Sequence, residues 1–301
     1  MVVSKYSETF FGMPVADYKF GEKPADGEVV HRLVQEYESE QTQRELLDEY
    51  LGKVDPKRLR ALVLGSWSEA STGTPPQEYL DGLIAHRLPN LAALYVGDMT
   101  FEDAEISWIV QGDYQPLLAA YPNLEVLRIR GGGIGLPTMK MPRLSELVIE
   151  TGGLPHALVD AIAASDLPSL RRLELWLGDD NYGFDGDLSH YQNLLAKIRP
   201  ERLDYLGLRN AQISDELASF IANQPWLATL PMLDLSMGTL SDVGAEALIK
   251  SPYIKGLGSL DVCHHYLSPA VVKKLKQLSL TLHIDEAEEA DEGSRYVEVG
   301  E

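Results

Sequence analysis

The feature that most constrains the fold of this chain is a short leucine pattern that recurs along most of its length. The pattern is L-x-x-L-x-L, with Val or Ile allowed at its later positions, and it occurs eight times. The repeats begin at Leu59, Leu91, Leu124, Leu144, Leu170, Leu203, Leu230 and Leu257. Successive starts are separated by 32, 33, 20, 26, 33, 27 and 27 residues. Recurrence at such a period predicts an array of similar structural units.

The last three repeats show what connects one leucine pattern to the next. In each of them a serine, at Ser214, Ser241 or Ser268, precedes apolar residues at helical spacing, and serine is a preferred helix N-cap. Pro269 then occupies a position that the first turn of a helix tolerates. Each unit is therefore predicted to be a strand, a turn and a helix that returns the chain to a parallel strand. Because one unit cannot bury its leucines alone, stacked units share a continuous core.

These repeats resemble leucine-rich repeats of the ribonuclease-inhibitor type. The resemblance rests on the spacing of 27 residues and on the Ser-Asp-Val-Gly-Ala-Glu-Ala-Leu segment at 241–248. Segments 176–183, 206–210 and 233–240 also resemble a bacterial leucine-rich-repeat family without an assigned activity. The resemblance spans roughly residues 55–285. It implies an α/β solenoid, a curved right-handed horseshoe with a parallel concave sheet and helices on the convex side.

One repeat position departs from the family pattern. The ninth position, often Asn or Cys in such repeats, holds Ala211, Gly238 and His265 in the regular units. The turn ladder that asparagine would build is therefore not expected in its usual form.

Three parts of the chain are predicted from this pattern. Residues 1–55 form an N-terminal cap, within which Glu28 to Leu51 has the spacing of an amphipathic helix. Residues 56–284 form a solenoid of about eight repeats. Residues 285–301 form an acidic tail, in which Arg295 to Val299 alternates like a short capping strand.

Composition restricts the classes of partner. The formal net charge of −20 argues against binding to nucleic acid and to anionic membrane surfaces, because both need a positive footprint. The single cysteine, Cys263, excludes an intrachain disulfide framework and suits a reducing compartment. No secretory signal or membrane-spanning stretch is expected. The sequence thus predicts an acidic, cytoplasmic protein.

Three segments invite a catalytic or metal-binding interpretation, and each has a simpler one. The glycine run Gly131 to Gly135 lacks the Lys-Ser/Thr of a phosphate-binding loop, so a tight repeat turn is favoured. The acidic loop at 179–187 offers oxygen ligands for calcium, but it fits neither register of an EF-hand. Cys263 to His265 lacks the second ligand pair of a structural zinc site. We therefore expect no catalytic residues, no cofactor and no metal.

The surface on which we expect a partner is the concave side of the sheet. Period-two alternation buries the leucines and turns the intervening residues outward. The outward residues expected to bind a partner protein are Tyr95, Arg128, Arg130, Arg172, Trp176, Tyr205 and Arg209, with Trp176 as the anchor. The alternative is that these are ordinary solvated strand positions with Arg–Glu pairs across neighbouring strands.

Two functions remain open from sequence. The first is a non-enzymatic scaffold or inhibitor that binds another protein on its concave face. The second is a metal-dependent or hydrolytic activity centred on the acidic loop at 179–187.

Overall fold

The computed structural model describes residues 3–300, which divide into two compact units. Unit 1 comprises the residues up to Leu147 together with Ser165–Ser169, and unit 2 comprises Val148–Ala164 and Leu170–Gly300.

Among the described residues of unit 1, a run of parallel strands follows chain order, with one antiparallel strand before it. Helices alternate with the later strands. The elements are β1 (Thr9–Phe10), β2 (Met13–Tyr18), β3 (Val30–Leu33), α1 (Gln43–Lys53), β4 (Ala61–Leu64), α2 (Gln77–His86), β5 (Ala93–Val96), α3 (Gln115–Ala120) and β6 (Val126–Arg130). The boundary between the units falls inside β7 (Glu146–Glu150).

Unit 2 has the same alternation of parallel strands and helices. Its remaining elements are α4 (His156–Ala163), β8 (Arg172–Gly178), α5 (Leu188–Ile198), β9 (Tyr205–Ala211), α6 (Ser214–Ile221), β10 (Met232–Asp234), α7 (Asp242–Lys250), β11 (Ser259–Asp261), α8 (Pro269–Leu275) and β12 (Thr281–His283). Each of the eight leucine patterns contains a strand. The predicted α/β leucine-rich-repeat fold is confirmed. In the described chain β6 and β7 are joined without a helix, through the segment that contains the glycine run Gly131 to Gly135.

The leucines of the pattern form the core because equivalent residues of neighbouring strands lie side by side. In unit 2, Leu173, Leu206, Leu233 and Leu260 are paired in register, and each is fully buried. The parallel register thus turns a sequence repeat into a ladder of leucines, in which every repeat covers its neighbour.

The turn after each regular strand of unit 2 is made at the eighth position of the repeat. Asn210, Met237 and His264 all have a left-handed backbone, with φ of 53°, 67° and 56°. In the preceding repeat the left-handed residue is Gly178, at the ninth position and at the end of β8, with φ of 71°. A ladder of turns is therefore present although the ninth position lacks asparagine.

Two predicted helical features are wrong. The stretch from Glu28 to Leu51 is not one helix, because Val30–Leu33 forms β3 between β2 and β4 and all its side chains are buried. The helix there is α1, which begins after a capping box of Thr42 and Glu45. Ser214 is the first helical residue of α6 and not its N-cap, whereas Ser241 and Ser268 do cap α7 and α8.

The prediction of a capping strand at Arg295 to Val299 is also wrong. The C-terminal segment, residues 294–300, lies instead across the turns of unit 2. The buried carboxamide of Asn210 donates to the Val299 carbonyl and accepts from the Val299 amide, the latter at 2.9 Å. The segment also bonds to the next turn, where the Met237 carbonyl accepts from the Glu298 amide at 2.8 Å. The three-part division into cap, solenoid and tail stays a prediction.

Candidate functional site

The sheet face of unit 2 that lies opposite the leucine ladder carries a connected set of charged and aromatic side chains. Arg172 pairs in register with Tyr205, and Trp176 pairs with Arg209, so these four residues share one face of β8 and β9. We refer to the connected set as the arginine network. It consists of Arg172, Glu174, Trp176, Tyr205, Arg209 and Asp234.

Glu174 is the centre of the arginine network. Its carboxylate accepts hydrogen bonds from Arg172 at 2.5 Å, from Arg209 at 2.8 Å and from the indole N–H of Trp176 at 2.9 Å. Burial would raise the pKa of this carboxyl, but the guanidinium groups of Arg209 and Arg172 outweigh burial and lower its pKa to about 2. Glu174 is therefore ionised although only 4% of its surface is exposed.

Tyr205 connects Arg172 to Asp234. The residue beside Glu174 on β9 is Gly207, and a Cβ there would lie 2.8 Å from the Tyr205 hydroxyl. The space left by this glycine lets the phenol lie along its own strand and donate to Asp234 at 2.7 Å. Arg172 stacks on the Tyr205 ring, 3.6 Å from its centroid. Burial raises the pKa values of both Tyr205 and Asp234.

Arg209 connects the remaining groups. Its Nε donates to the Ser236 hydroxyl at 2.9 Å, and its guanidinium lies 5.3 Å from the Trp176 ring centroid. Burial would lower its pKa, but Asp234 and Glu174 outweigh burial and raise it. The charged contacts to Glu174 and Asp234, together with the Ser236 hydroxyl and the Trp176 ring, hold the Arg209 side chain in place.

The exposed part of the network is arginine and not tryptophan. Trp176 and Tyr205 are 6% and 7% exposed, whereas the side chains of Arg172 and Arg209 are 35% and 24% exposed. The sequence correctly put these four residues on one face, but alternation could not reveal that the arginines would cover the aromatic rings. Arg172 pairs with Glu174 of its own strand, at the i, i+2 position.

The other three predicted residues, Tyr95, Arg128 and Arg130, lie in unit 1. Tyr95 is 1% exposed and packs against Phe10, with ring centroids 6.0 Å apart. Arg128 lies 5.5 Å from the Phe10 ring centroid and pairs with Glu146 at 2.6 Å. Arg130 is also buried. Phe10 of the N-terminal segment thus contacts two of the three positions at which a partner was expected, Tyr95 and Arg128.

The N-terminal segment, residues 3–13, was missed by sequence reasoning as a cover for unit 1. Its Ser7 amide donates to the fully buried Asp98 at 3.2 Å, and its Tyr6 ring lies 4.2 Å from the guanidinium carbon of Arg32. The only sequence signals were the phenylalanine pair and Gly12, where the chain makes a tight turn between β1 and β2.

Three of the four carboxylates of the acidic loop at 179–187, those of Asp179, Asp185 and Asp187, bond within the fold. The Asp179 side chain caps a short 3-10 turn, and Asp187 caps α5 by accepting from the main chain at 2.8 Å. Asp185 accepts from the His156 amide at 2.6 Å, and that hydrogen bond lowers the pKa of Asp185. Within residues 3–300, no group of three or more His, Cys, Asp or Glu is arranged to hold a metal ion.

Cys263 and the two histidines after it serve different contacts. Burial raises the pKa of the Cys263 thiol to about 11, and the sulfur accepts from the Asp285 amide at 3.4 Å. His264 Nε2 lies 3.1 Å from the Tyr296 carbonyl oxygen, whereas His265 Nδ1 accepts from a main-chain amide. The three side chains thus point to separate partners.

No helix in the described part of the chain combines the length and the apolar character needed to cross a membrane.

Comparison with known proteins identifies a relative among the solved structures. No protein-family model matches the chain, and no curated protein matches it. An internalin from Listeria monocytogenes has a TM-score of 0.38 at 17% identity, covering 85% of this chain and 68% of that one. A protein from Bacteroides fragilis has a TM-score of 0.77 at 32% identity, covering 84% of this chain and 72% of that one. At this identity and coverage, the chain belongs to the same protein family as the Bacteroides fragilis protein.

Proposed function

We propose that this protein is a non-enzymatic scaffold or inhibitor that binds a partner protein through the sheet face of unit 2. The observation that supports this most is the arginine network, whose buried contacts hold Arg172 and Arg209 while both side chains remain partly exposed. Trp176 and Tyr205 support the arginines from beneath. Arginine and aromatic residues are the types that most often dominate protein interfaces.

The rigidity of the network favours binding over ordinary solvation. A free arginine loses side-chain entropy when it is immobilised in a complex, and each immobilised side chain costs about 0.5–1.5 kcal/mol. Arg172 and Arg209 are already held by Glu174 and by aromatic rings, so much of that cost is met in the free protein. For Tyr95, Arg128 and Arg130 of unit 1, partner binding stays a prediction.

The repeat type, the cellular location and the class of partner that we propose rest on the sequence. A ribonuclease-inhibitor-like repeat type fits the spacing of 27 residues, and a cytoplasmic location fits the single cysteine. A protein partner, with no nucleic acid or membrane, fits the net charge of −20.

Site-specific photocrosslinking tests this proposal. Met232 is half-buried and lies beside Tyr205, because the residues that follow them, Leu233 and Leu206, are paired. A photocrosslinking residue at position 232 should capture one polypeptide from a lysate of the native organism, whereas the same residue at Val243 on α7 should not. Arg172→Ala should weaken binding of that polypeptide by roughly tenfold or more without changing the circular dichroism spectrum.

Equal capture from positions 232 and 243 would contradict the proposed surface. An unchanged affinity of the Arg172→Ala variant would contradict the role of the network.

A further inference from the structure

Four large apolar side chains are exposed in the loops that follow the parallel strands of unit 1. Tyr37 is 54% exposed, Phe101 38%, Trp108 52% and Val110 37%. Tyr37 follows β3, and the other three follow β5. Loops that follow neighbouring parallel strands leave the sheet at the same edge. We refer to these four residues, to the loops that carry them, 34–42 and 97–113, and to the loop between them, 65–76, as the aromatic edge.

Contacts between the loops make the aromatic edge continuous. The Tyr37 carbonyl accepts from the Ser68 hydroxyl at 2.8 Å, which joins the loop after β3 to the loop after β4. A Cβ on Gly73 would lie 3.6 Å from the Val110 side chain, so the loop after β4 also packs beside the loop after β5. Val110 in turn forms a parallel bridge with Gly132, directly after β6.

The exposure of Trp108 results from the way its loop is held. Ile106 and Ile109, on either side of it, are 4% and 1% exposed. The Trp108 amide donates to the Glu105 carbonyl at 2.9 Å, which closes a turn. Because its neighbours are buried, the indole is presented to solvent from a fixed backbone. A fully buried aromatic side chain removes about 150–250 Å² of surface from water, and a partner could cover the exposed half of Trp108. Exposed apolar patches mark interaction sites.

The charges around these side chains indicate what kind of partner would cover them. The three loops contain nine carboxylates and no lysine or arginine. The carboxylates are Glu36, Glu38, Glu40, Glu69, Asp98, Glu102, Asp103, Glu105 and Asp113. Asp98 is buried against Arg32 and Glu36 pairs with Lys19 at 3.2 Å, so seven remain.

The opposite edge of the same strands has the opposite sign. The segments that precede β3, β4 and β5, 19–29, 55–60 and 87–92, contain six basic and four acidic residues, against no basic residue in the loops that follow these strands. The acidic character of the aromatic edge is therefore local and does not simply follow from the net charge of the whole chain.

We propose that the aromatic edge is a second interaction surface, which binds a protein segment carrying lysine or arginine around an apolar residue. Trp108 is its anchor, and Glu102 and Glu105 attract the basic residues. This inference rests on the proposed role as a binding scaffold, but it does not depend on the sheet face of unit 2.

Selection from a random linear peptide library displayed on phage tests the partner chemistry, with the full chain as the immobilised target. The selected peptides should be enriched in lysine and arginine next to aromatic or aliphatic residues. Trp108→Ala should weaken their binding by roughly tenfold or more, whereas Val243→Ala, at a position that is 68% exposed, should not. Thermal melting checks that both variants remain folded.

A charge control separates a specific site from general attraction to an acidic protein. Glu102→Gln combined with Glu105→Gln should weaken binding, and more so at low salt than at high salt. Glu288→Gln combined with Glu289→Gln makes the same charge change on exposed residues elsewhere and should have little effect. Equal losses in the two double variants, or selected peptides without basic residues, would overturn the inference.

Arg172→Ala distinguishes this surface from the sheet face of unit 2. Peptides bound at the aromatic edge should tolerate Arg172→Ala. If Arg172→Ala abolished binding and Trp108→Ala did not, the scaffold function would stand and the aromatic edge would not be its site.

Discussion

At the scale of single residues, the buried charge of Glu174 is the feature that most needs compensating interactions. A buried carboxylate is costly unless it is paired and hydrogen-bonded. Two guanidinium groups and an indole N–H meet that requirement here, and the nearest position on β9 is a glycine, which leaves room for Tyr205. The arginine network therefore depends more on Glu174 than on Arg172 or Arg209.

Glu174→Gln should consequently lower the free energy of unfolding by roughly 1.5–3 kcal/mol at neutral pH, because Arg172 and Arg209, which are partly exposed, lose their charged hydrogen bonds to Glu174. The folded-state pKa of Glu174 is lowered to about 2, so its contribution is complete above the unfolded value near 4.5. The contribution is lost as the pH falls towards 2. Urea titrations of both proteins between pH 7 and pH 2 measure this difference. Asp234 is present in both proteins, so its titration largely cancels. A constant difference across this range would contradict the assignment.

At the scale of elements, the C-terminal segment shows how a strand-like sequence can serve another purpose. Residues 294–300 alternate, but they bond to the turns after β9 and β10 instead of to a neighbouring strand. The turns can accept them because Asn210 and Met237 have a left-handed backbone and present polar groups outward from the repeat. Asparagine tolerates this conformation better than most residues do.

Substitutions at Asn210 separate its two roles. Asn210→Gly keeps a residue that favours the left-handed backbone and removes only the carboxamide, whereas Asn210→Ala also adds about 1–2 kcal/mol of backbone strain. Both variants should increase hydrogen exchange at residues 297–300, and Asn210→Ala should be the less stable. If Asn210→Gly left the exchange of these residues unchanged, the carboxamide would not be what holds the segment.

At the scale of the whole molecule, the sequence predicts the repeats well. It predicts poorly which side chains cover the residues on the faces of the strands. The leucine period predicts the strands because each pattern residue is buried by its counterpart in the next repeat, as for Leu206 and Leu233. The packing of Phe10 on Tyr95 joins two segments that are far apart in sequence and share no pattern, so no local signal indicates it. The burial of Trp176 depends on how Arg209 lies over it, which alternation cannot show.

The repeat architecture also predicts which strands lose stability when a core residue is truncated. Leu206 is fully buried between Leu173 and Leu233, so Leu206→Ala should lower the free energy of unfolding by about 2–5 kcal/mol. Because each repeat contacts mainly its neighbours, the loss of hydrogen-exchange protection should be greatest in β8, β9 and β10 and smaller in β12. Exchange measured by mass spectrometry, with the exposed Val243→Ala as control, reports each strand separately. Equal loss of protection in β9 and β12 would indicate that unit 2 opens as one cooperative body and that nearest-neighbour stacking does not describe its stability.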